Sequence, residues 1–270
     1  MFMETNKIKQ FLLQLSSEAG EFLRNNFYTI KSASERPGGG IATNIDWQLE
    51  AIIVARLEQA FPEHGIKVIG GSQRRPEAAY QWIIDPLDGS SHFSRNIPIY
   101  TCNIAWQENG QTVLGTVNYP QTHQLFFAER GEGAYLNGIS IKVSENSDLS
   151  SAFIFVELPE QKFAGQESDP QSFAGNTRLL HELIKKSGQV ESWRIGALGQ
   201  CLVASGAFDA YLDLSGSSQK MSQLASRLIV QEAGGKIVDL KTLQPDFTQV
   251  LAANEQLAKV LTDLISETGL

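Results

Sequence analysis

The segment Trp82-Ile83-Ile84-Asp85-Pro86-Leu87-Asp88-Gly89-Ser90-Ser91-His92-Phe93 constrains this chain more than any other. Its apolar, β-branched start predicts a strand over Trp82–Ile84. Pro86 has no N–H for a ladder, so the strand is expected to break there, with Asp85 delivered at its end. Asp88 follows three residues later, and Gly89 lets the backbone turn sharply and approach a ligand. Two carboxylates and the Leu87 carbonyl, concentrated at a strand end, are hard oxygen donors suited to Mg²⁺. The amides of Gly89, Ser90 and Ser91 could receive a phosphate. The same spacing also fits an Asp-Pro turn closed by side-chain hydrogen bonds, with no metal.

Around this segment the hydrophobic period changes along the chain. In residues 8–27, Ile8, Phe11, Leu12, Leu15, Ala19, Phe22 and Leu23 recur at helical steps. A loop is expected over Glu35–Gly40, where a proline precedes three glycines. A second helix begins near Thr43, where Thr43 and Asp46 form the pattern of a capping box. From 66 to 143, short β-branched or aromatic runs follow one another without helices, which predicts an antiparallel sheet. The stretch 145–176 is polar. In the second half strands and helices alternate, with a strand expected over Phe153–Glu157 and helices over Asn176–Lys186, Leu198–Gly206, Ser222–Ala233 and 255–267. The expected organisation is an α/β protein with an α+β N-terminal subdomain over 1–145 and an α/β subdomain over 146–270.

Bulk properties exclude some partners. The chain has 270 residues and a formal net charge of −8. That charge argues against nucleic acid or an anionic membrane, both of which need clustered Lys and Arg. Phosphate binding survives this argument if metal ions invert the local field. No apolar run approaches the roughly 18 residues of a membrane helix. Two cysteines, Cys102 and Cys201, read as buried thiols in a reducing compartment. The start Met-Phe-Met-Glu-Thr-Asn-Lys shows no apolar signal region, so a cytoplasmic location is expected.

The central segment resembles the signature W-x-I-D-P-x-D-G-T-x-N-F of the inositol monophosphatase family of Mg²⁺-dependent phosphomonoesterases. Leu114–Pro120, Gln124–Ala128 and Gly131–Gly138 are similar to that family's strand-turn-strand block. Trp193–Gly196 through Val203–Tyr211, then Glu232–Gly235 and Ala252–Asn254, are similar to its later blocks. The resemblance runs in order over nearly the whole chain. It implies a layered α-β-α-β-α sandwich, a homodimer, a small phosphorylated metabolite as ligand and a metal site between subdomains. It further implies metal ligation by Asp85, the Leu87 carbonyl and Asp88, and water activation by Asp46 with Ser90, which replaces the usual Thr. Gly89, Ser90 and Ser91 would contact phosphate, and Asp213 the substrate hydroxyls.

Two positions depart from the pattern. Relatives end a strand in Gly-Glu-Glu, whose first Glu binds metal; here the run is Val68-Ile69-Gly70-Gly71-Ser72, with Gly71 at that place. Relatives carry a ligand Asp before a later helix; here Ser222 stands there, in a position to cap the helix. Gly71 could also hold a backbone conformation open only to glycine. Removing two acids leaves about two negative ligands, so Mg²⁺ is expected to bind weakly, as one ion or none. Glu77 could swing in from its loop, although loop acids are ordinarily solvated. His92, in place of the family's loop Asn, could touch phosphate or be an ordinary hydrogen-bonded histidine. Three functions remain open: a ligand- or partner-binding protein with weak or lost hydrolysis, a working phosphatase with altered metal ligation, and a structural subunit of an active relative.

Overall fold

The computed structural model describes residues 2–35, 41–160, 162–163, 166–167, 169–216, 218–244 and 246–268. The glycine-rich stretch 36–40 lies outside the described residues. Helix α1 (Phe2–Asn25) is followed by the antiparallel pair β1 (Ala33–Glu35) and β2 (Ile41–Thr43), then by helix α2 (Asn44–Ala60). The first large sheet comes next. It contains β3 (Gly65–Val68), β4 (Gln73–Arg74), β5 (Tyr80–Asp88), β6 (Thr101–Glu108), β7 (Gln111–Tyr119), β8 (Gln124–Glu129), β9 (Gly133–Leu136) and β10 (Ile139–Ile141). Their spatial order is β10-β9-β8-β7-β6-β5-β3-β4. All neighbours are antiparallel except β3 and β5. The short helix α3 (Ser90–Ser94) follows β5.

The second half builds another sheet from β11 (Phe153–Glu157), β14 (Gln189–Glu191), β15 (Ala210–Asp213), β16 (Lys236–Gln244) and β17 (Phe247–Ala253). A small hairpin, β12 (Lys162–Phe163) with β13 (Gln166–Glu167), stands apart from it. The order β14-β11-β15-β17-β16 is parallel around β11 and antiparallel around β17. Helices α4 (Pro170–Lys186), α5 (Gly196–Ala204), α6 (Leu224–Glu232) and α7 (Glu255–Glu267) alternate with these strands.

Side-chain alternation explains the layering, because successive residues of a strand point to opposite faces. In β5, Trp82 and Ile84 join a core with α1 and α2, while Ile83 joins a second core with α5 and α6. In β11, Phe155 faces that second core, and Ile154 and Val156 face a third with α4 and α7. The strands read as continuous apolar runs because both faces of each sheet are covered. The result is the expected five-layer α-β-α-β-α sandwich, with α5 and α6 between the sheets.

Two local expectations are corrected. The strand through Trp82–Ile84 does not stop at Pro86; β5 continues to Asp88 with a register shift against β6 between Asp85 and Asp88. A bulge leaves some residues unpaired, so the missing proline N–H costs nothing there. The helix expected from Ser222 begins at Leu224 instead.

Candidate functional site

The register shift in β5 sets the geometry. Asp85 lies opposite Asn103 and Asp88 opposite Thr101, with Pro86 and Leu87 taken up by the bulge. Gly89 then adopts φ 87, in the left-handed region. A Cβ there would stand 2.9 Å from the Ile99 carbonyl oxygen, so both backbone and space require glycine. The chain turns directly into α3, which opens with Ser90 and Ser91.

Ser90 and Asp46, 44 residues apart, meet here. Ser90 Oγ lies 2.7 Å from Asp46 Oδ1 and 2.8 Å from the Leu87 carbonyl oxygen, and its single proton serves one of them at a time. The other Asp46 oxygen accepts from the Thr43 N–H and the Thr43 hydroxyl, each at 2.7 Å. The capping box thus does more than start α2. It fixes the carboxylate that holds Ser90, and Asp46 is only 1% exposed.

Asp88 is anchored from three elements. Its carboxyl accepts from Asn103 of β6 and from the amides of Gly89 and Ala197, the last at the start of α5. Loss of water pushes its pKa up to about 6, against the pull of those bonds and of the Arg194 guanidinium. Asp85 is buried, and its charge adds to the burial that raises the Cys102 thiol.

Asp213 ends β15, fully buried, beside Glu157 at the end of β11. Asp213 Oδ1 accepts from the Ser215 amide and hydroxyl and from the Gly216 amide, at 2.7–3.0 Å. Among the described residues Asp213 Oδ2 and Glu157 Oε1 have no well-aligned hydrogen-bond partner, although the Ser218 and Tyr211 hydroxyls lie near enough to pull the two carboxyl pKa values down. Glu157 is raised well above the usual carboxylate range, by desolvation first and then by the charges of Asp213 and Asp88. A Cβ on Gly196 would lie 2.9 Å from Tyr211 Oη and 3.3 Å from Glu157 Oε1. This glycine therefore lets α5 approach the acids closely. Arg194 sits at the edge of the group, paired with Glu160.

Glu157, Asn103 and Arg194 were not among the residues singled out by sequence. The strand-end position of Glu157 was the available signal, because β11 was expected over Phe153–Glu157. Its pairing with Asp213, a residue the resemblance already names, follows only from the register between β11 and β15. His92 is half-buried, its pKa lowered by burial and by Arg194 and Arg95. Glu77 is exposed, and exposed Arg74 lies 3.7 Å from Glu58.

Ser222 does not cap α6. Its hydroxyl donates to the Gln219 carbonyl at 2.8 Å, and the residue before the helix is Gln223, whose helical dihedrals leave it without capping geometry. The helix start is held by a buried network instead. Gln200 Nε2 donates to Gln223 Oε1, and the Ser226 hydroxyl lies within bonding distance of Gln200 Oε1 and the Gln223 carbonyl. Gly71 does not occupy the left-handed region; its neighbour Gly70 does, at φ 65.

A model of the inositol monophosphatase family matches residues 4–268. The chain belongs to the inositol monophosphatase family. It is 30% identical over 240 residues to the protein named Nus factor SuhB of Vibrio cholerae serotype O1, covering 87% of this chain and 86% of that protein. It is 29% identical to inositol monophosphatase 2 of Solanum lycopersicum, covering 95% and 97%. The fold is shared with the suhB extragenic suppressor protein of Bartonella henselae, with a TM-score of 0.86, 23% identity and coverage of 98% and 100%. It is also shared with the IMPase of Thermotoga maritima, with a TM-score of 0.83, 23% identity and coverage of 97% and 98%.

The donors of this family member can be set against the Mg²⁺ pair its scaffold implies. Among the described residues no three His, Cys, Asp or Glu side chains are grouped to hold a metal. Asp88 already accepts from a side chain and two amides, and the Leu87 carbonyl lies within reach of the Ser90 hydroxyl. Gly71 and Ser222 add no charge. Each Mg²⁺ wants near-octahedral oxygen donors, commonly with carboxylates among them, so this donor set does not fit a two-ion centre.

Proposed function

We propose that this protein uses the scaffold of a Mg²⁺-dependent phosphate-monoester hydrolase with hydrolysis weak or lost, and retains a site for a small phosphorylated metabolite or a partner. The observation carrying this reading is the neutrality of Gly71 and Ser222, the two positions at which the resemblance expects ligand acids, while Asp85 and Asp88 are retained. Two metal ions in such a site stabilise the attacking and leaving oxygens of phosphoryl transfer, and their loss is worth several kcal/mol of barrier. The ligand-holding groups persist. The Ser90 and Ser91 amides follow the Asp88 turn, and Asp213 keeps its carboxylate at the end of β15. Arg194 adds positive charge felt by Asp88 and His92. We extend the same reading to a cytoplasmic homodimer. Among the described residues no helix is long and apolar enough to cross a membrane.

A second reading is an active phosphatase of inositol or sugar phosphates with altered metal ligation. The retained Ser90–Asp46 contact of 2.7 Å favours it, since that pair can hold a proton at a defined atom. Relatives carry both kinds of name: fructose-1,6-bisphosphatase/inositol-1-monophosphatase in Thermotoga maritima, and Nus factor SuhB in Vibrio cholerae. Assay of the full chain on inositol and sugar monophosphates, with and without Mg²⁺, separates the readings when paired with calorimetric binding of the same compounds. We expect binding with hydrolysis near background. Mg²⁺-dependent turnover in the ordinary enzyme range of about 1–10³ s⁻¹ would establish the second reading.

A further inference from the structure

The turn after β3 holds a carboxylate that its own sequence does not supply. Glu50 lies in α2 one helical turn beyond Asp46, so both project from the same helix face. Glu50 Oε1 accepts the Ser72 N–H at 2.8 Å. A Cβ built on Gly71 would stand 2.4 Å from Glu50 Oε2, 2.7 Å from Oε1 and 2.8 Å from Cδ. Those separations are far inside the contact distance of non-bonded heavy atoms, about 3.5–4.0 Å. The backbone of Gly71 is not left-handed, so what a side chain there would have to move is the carboxylate end of Glu50, a flexible and half-buried side chain held by its bond to the Ser72 amide. This turn sits beside the end of β5, because Val68 is in register with Ile84 and the Ile69 N–H donates to the Ile84 carbonyl at 2.8 Å.

We propose that Glu50 is a positioning residue that occupies the side-chain volume of position 71, so that a side chain at 71 and the Glu50–Ser72 bond exclude each other. Its functional meaning rests on the reading of position 71 as a vacated cation-ligand place. Returning glutamate to 71 then does not by itself rebuild a ligand. The new carboxylate enters against an existing one of like charge, and Glu50 leaves only by giving up a charge-assisted bond to a backbone amide. Restoration of this position is a two-residue change.

Two measurements on the full chain test this separately. The first is a stability cycle in urea with Gly71→Ala, Glu50→Ala and the pair. Gly71→Ala is expected to lower the folding equilibrium constant about tenfold, or about 1.4 kcal/mol, in the parent and to change little when Glu50 is already alanine. Glu50→Gln, of similar size, is expected not to relieve Gly71→Ala. Additive effects, or full relief by Glu50→Gln, would overturn the proposal. The second is Mn²⁺ binding followed by electron paramagnetic resonance. Glu50→Ala/Gly71→Glu is expected to bind at least about tenfold tighter than Gly71→Glu alone. Equal binding by both overturns the proposal and leaves position 71 as a ligand place. If neither binds while the stability cycle shows coupling, Glu50 holds the volume and the ligand reading of position 71 fails.

Discussion

Ser222 donates to the Gln219 carbonyl and caps nothing, so its neighbours assign it a minor role. Ser222→Ala is therefore expected to shift stability by no more than about 0.5 kcal/mol. A lost helix cap would cost about 1 kcal/mol, and urea denaturation distinguishes the two. Glu157 carries a larger expectation. Its folded-state pKa is raised, so the native state binds the proton more tightly than the unfolded chain. That contribution to stability is complete below the unfolded pKa and is lost as pH rises through the folded one. Glu157→Gln cannot ionise. Its stability should fall less steeply than the parent's on raising the pH, with a difference of up to about 1.4 kcal/mol per pH unit between the two pKa values. Parallel pH profiles would assign the effect elsewhere. At this scale the sequence showed what is local. Asp85 and Asp88 could be read from a strand end, a proline and a glycine within one short run. The meeting of Ser90 with Asp46 came from family resemblance, since nothing in their spacing brings them together. Glu157 beside Asp213 and Glu50 beside Gly71 depend on strand register and helix placement, which no short window contains.

The elements were legible where the apolar period was strong. The expected strand Phe153–Glu157 and final helix 255–267 match β11 and α7 end to end. The misplacements follow from tertiary context. Pro86 was expected to stop a strand, yet a bulge absorbs it and carries β5 on to Asp88. The α6 boundary moved because the buried Gln200–Gln223–Ser226 network, drawn from two helices, does the work assigned to one serine. The packing of α6 on β7 depends on Gly115, where a Cβ would lie 2.9 Å from Ala225 Cα and 3.2 Å from its carbonyl oxygen. Backbone cannot swing aside as a side chain can. Gly115→Ala should therefore cost about 1–3 kcal/mol by overpacking the layer between the sheets. An unchanged denaturation midpoint would mean that α6 and β7 separate freely.

At the scale of the molecule, the five layers and, among the described residues, three apolar cores follow from strands buried on both faces, and the family match extends over residues 4–268. A fold of this kind does not fix an activity, which has to be argued from the site. Here the scaffold keeps the Asp85–Ser90 turn, the Asp46 anchor and the acids Glu157 and Asp213 at the ends of β11 and β15, with neutral residues at 71 and 222. The account therefore turns on how many Mg²⁺ ions this arrangement holds. Calorimetric titration of Mg²⁺ into the full chain measures that number directly. We expect at most one site, of the weakest carboxylate class, with a Kd of about 10⁻³ M or weaker. Two sites with micromolar affinity would contradict the account and establish an intact two-ion phosphatase.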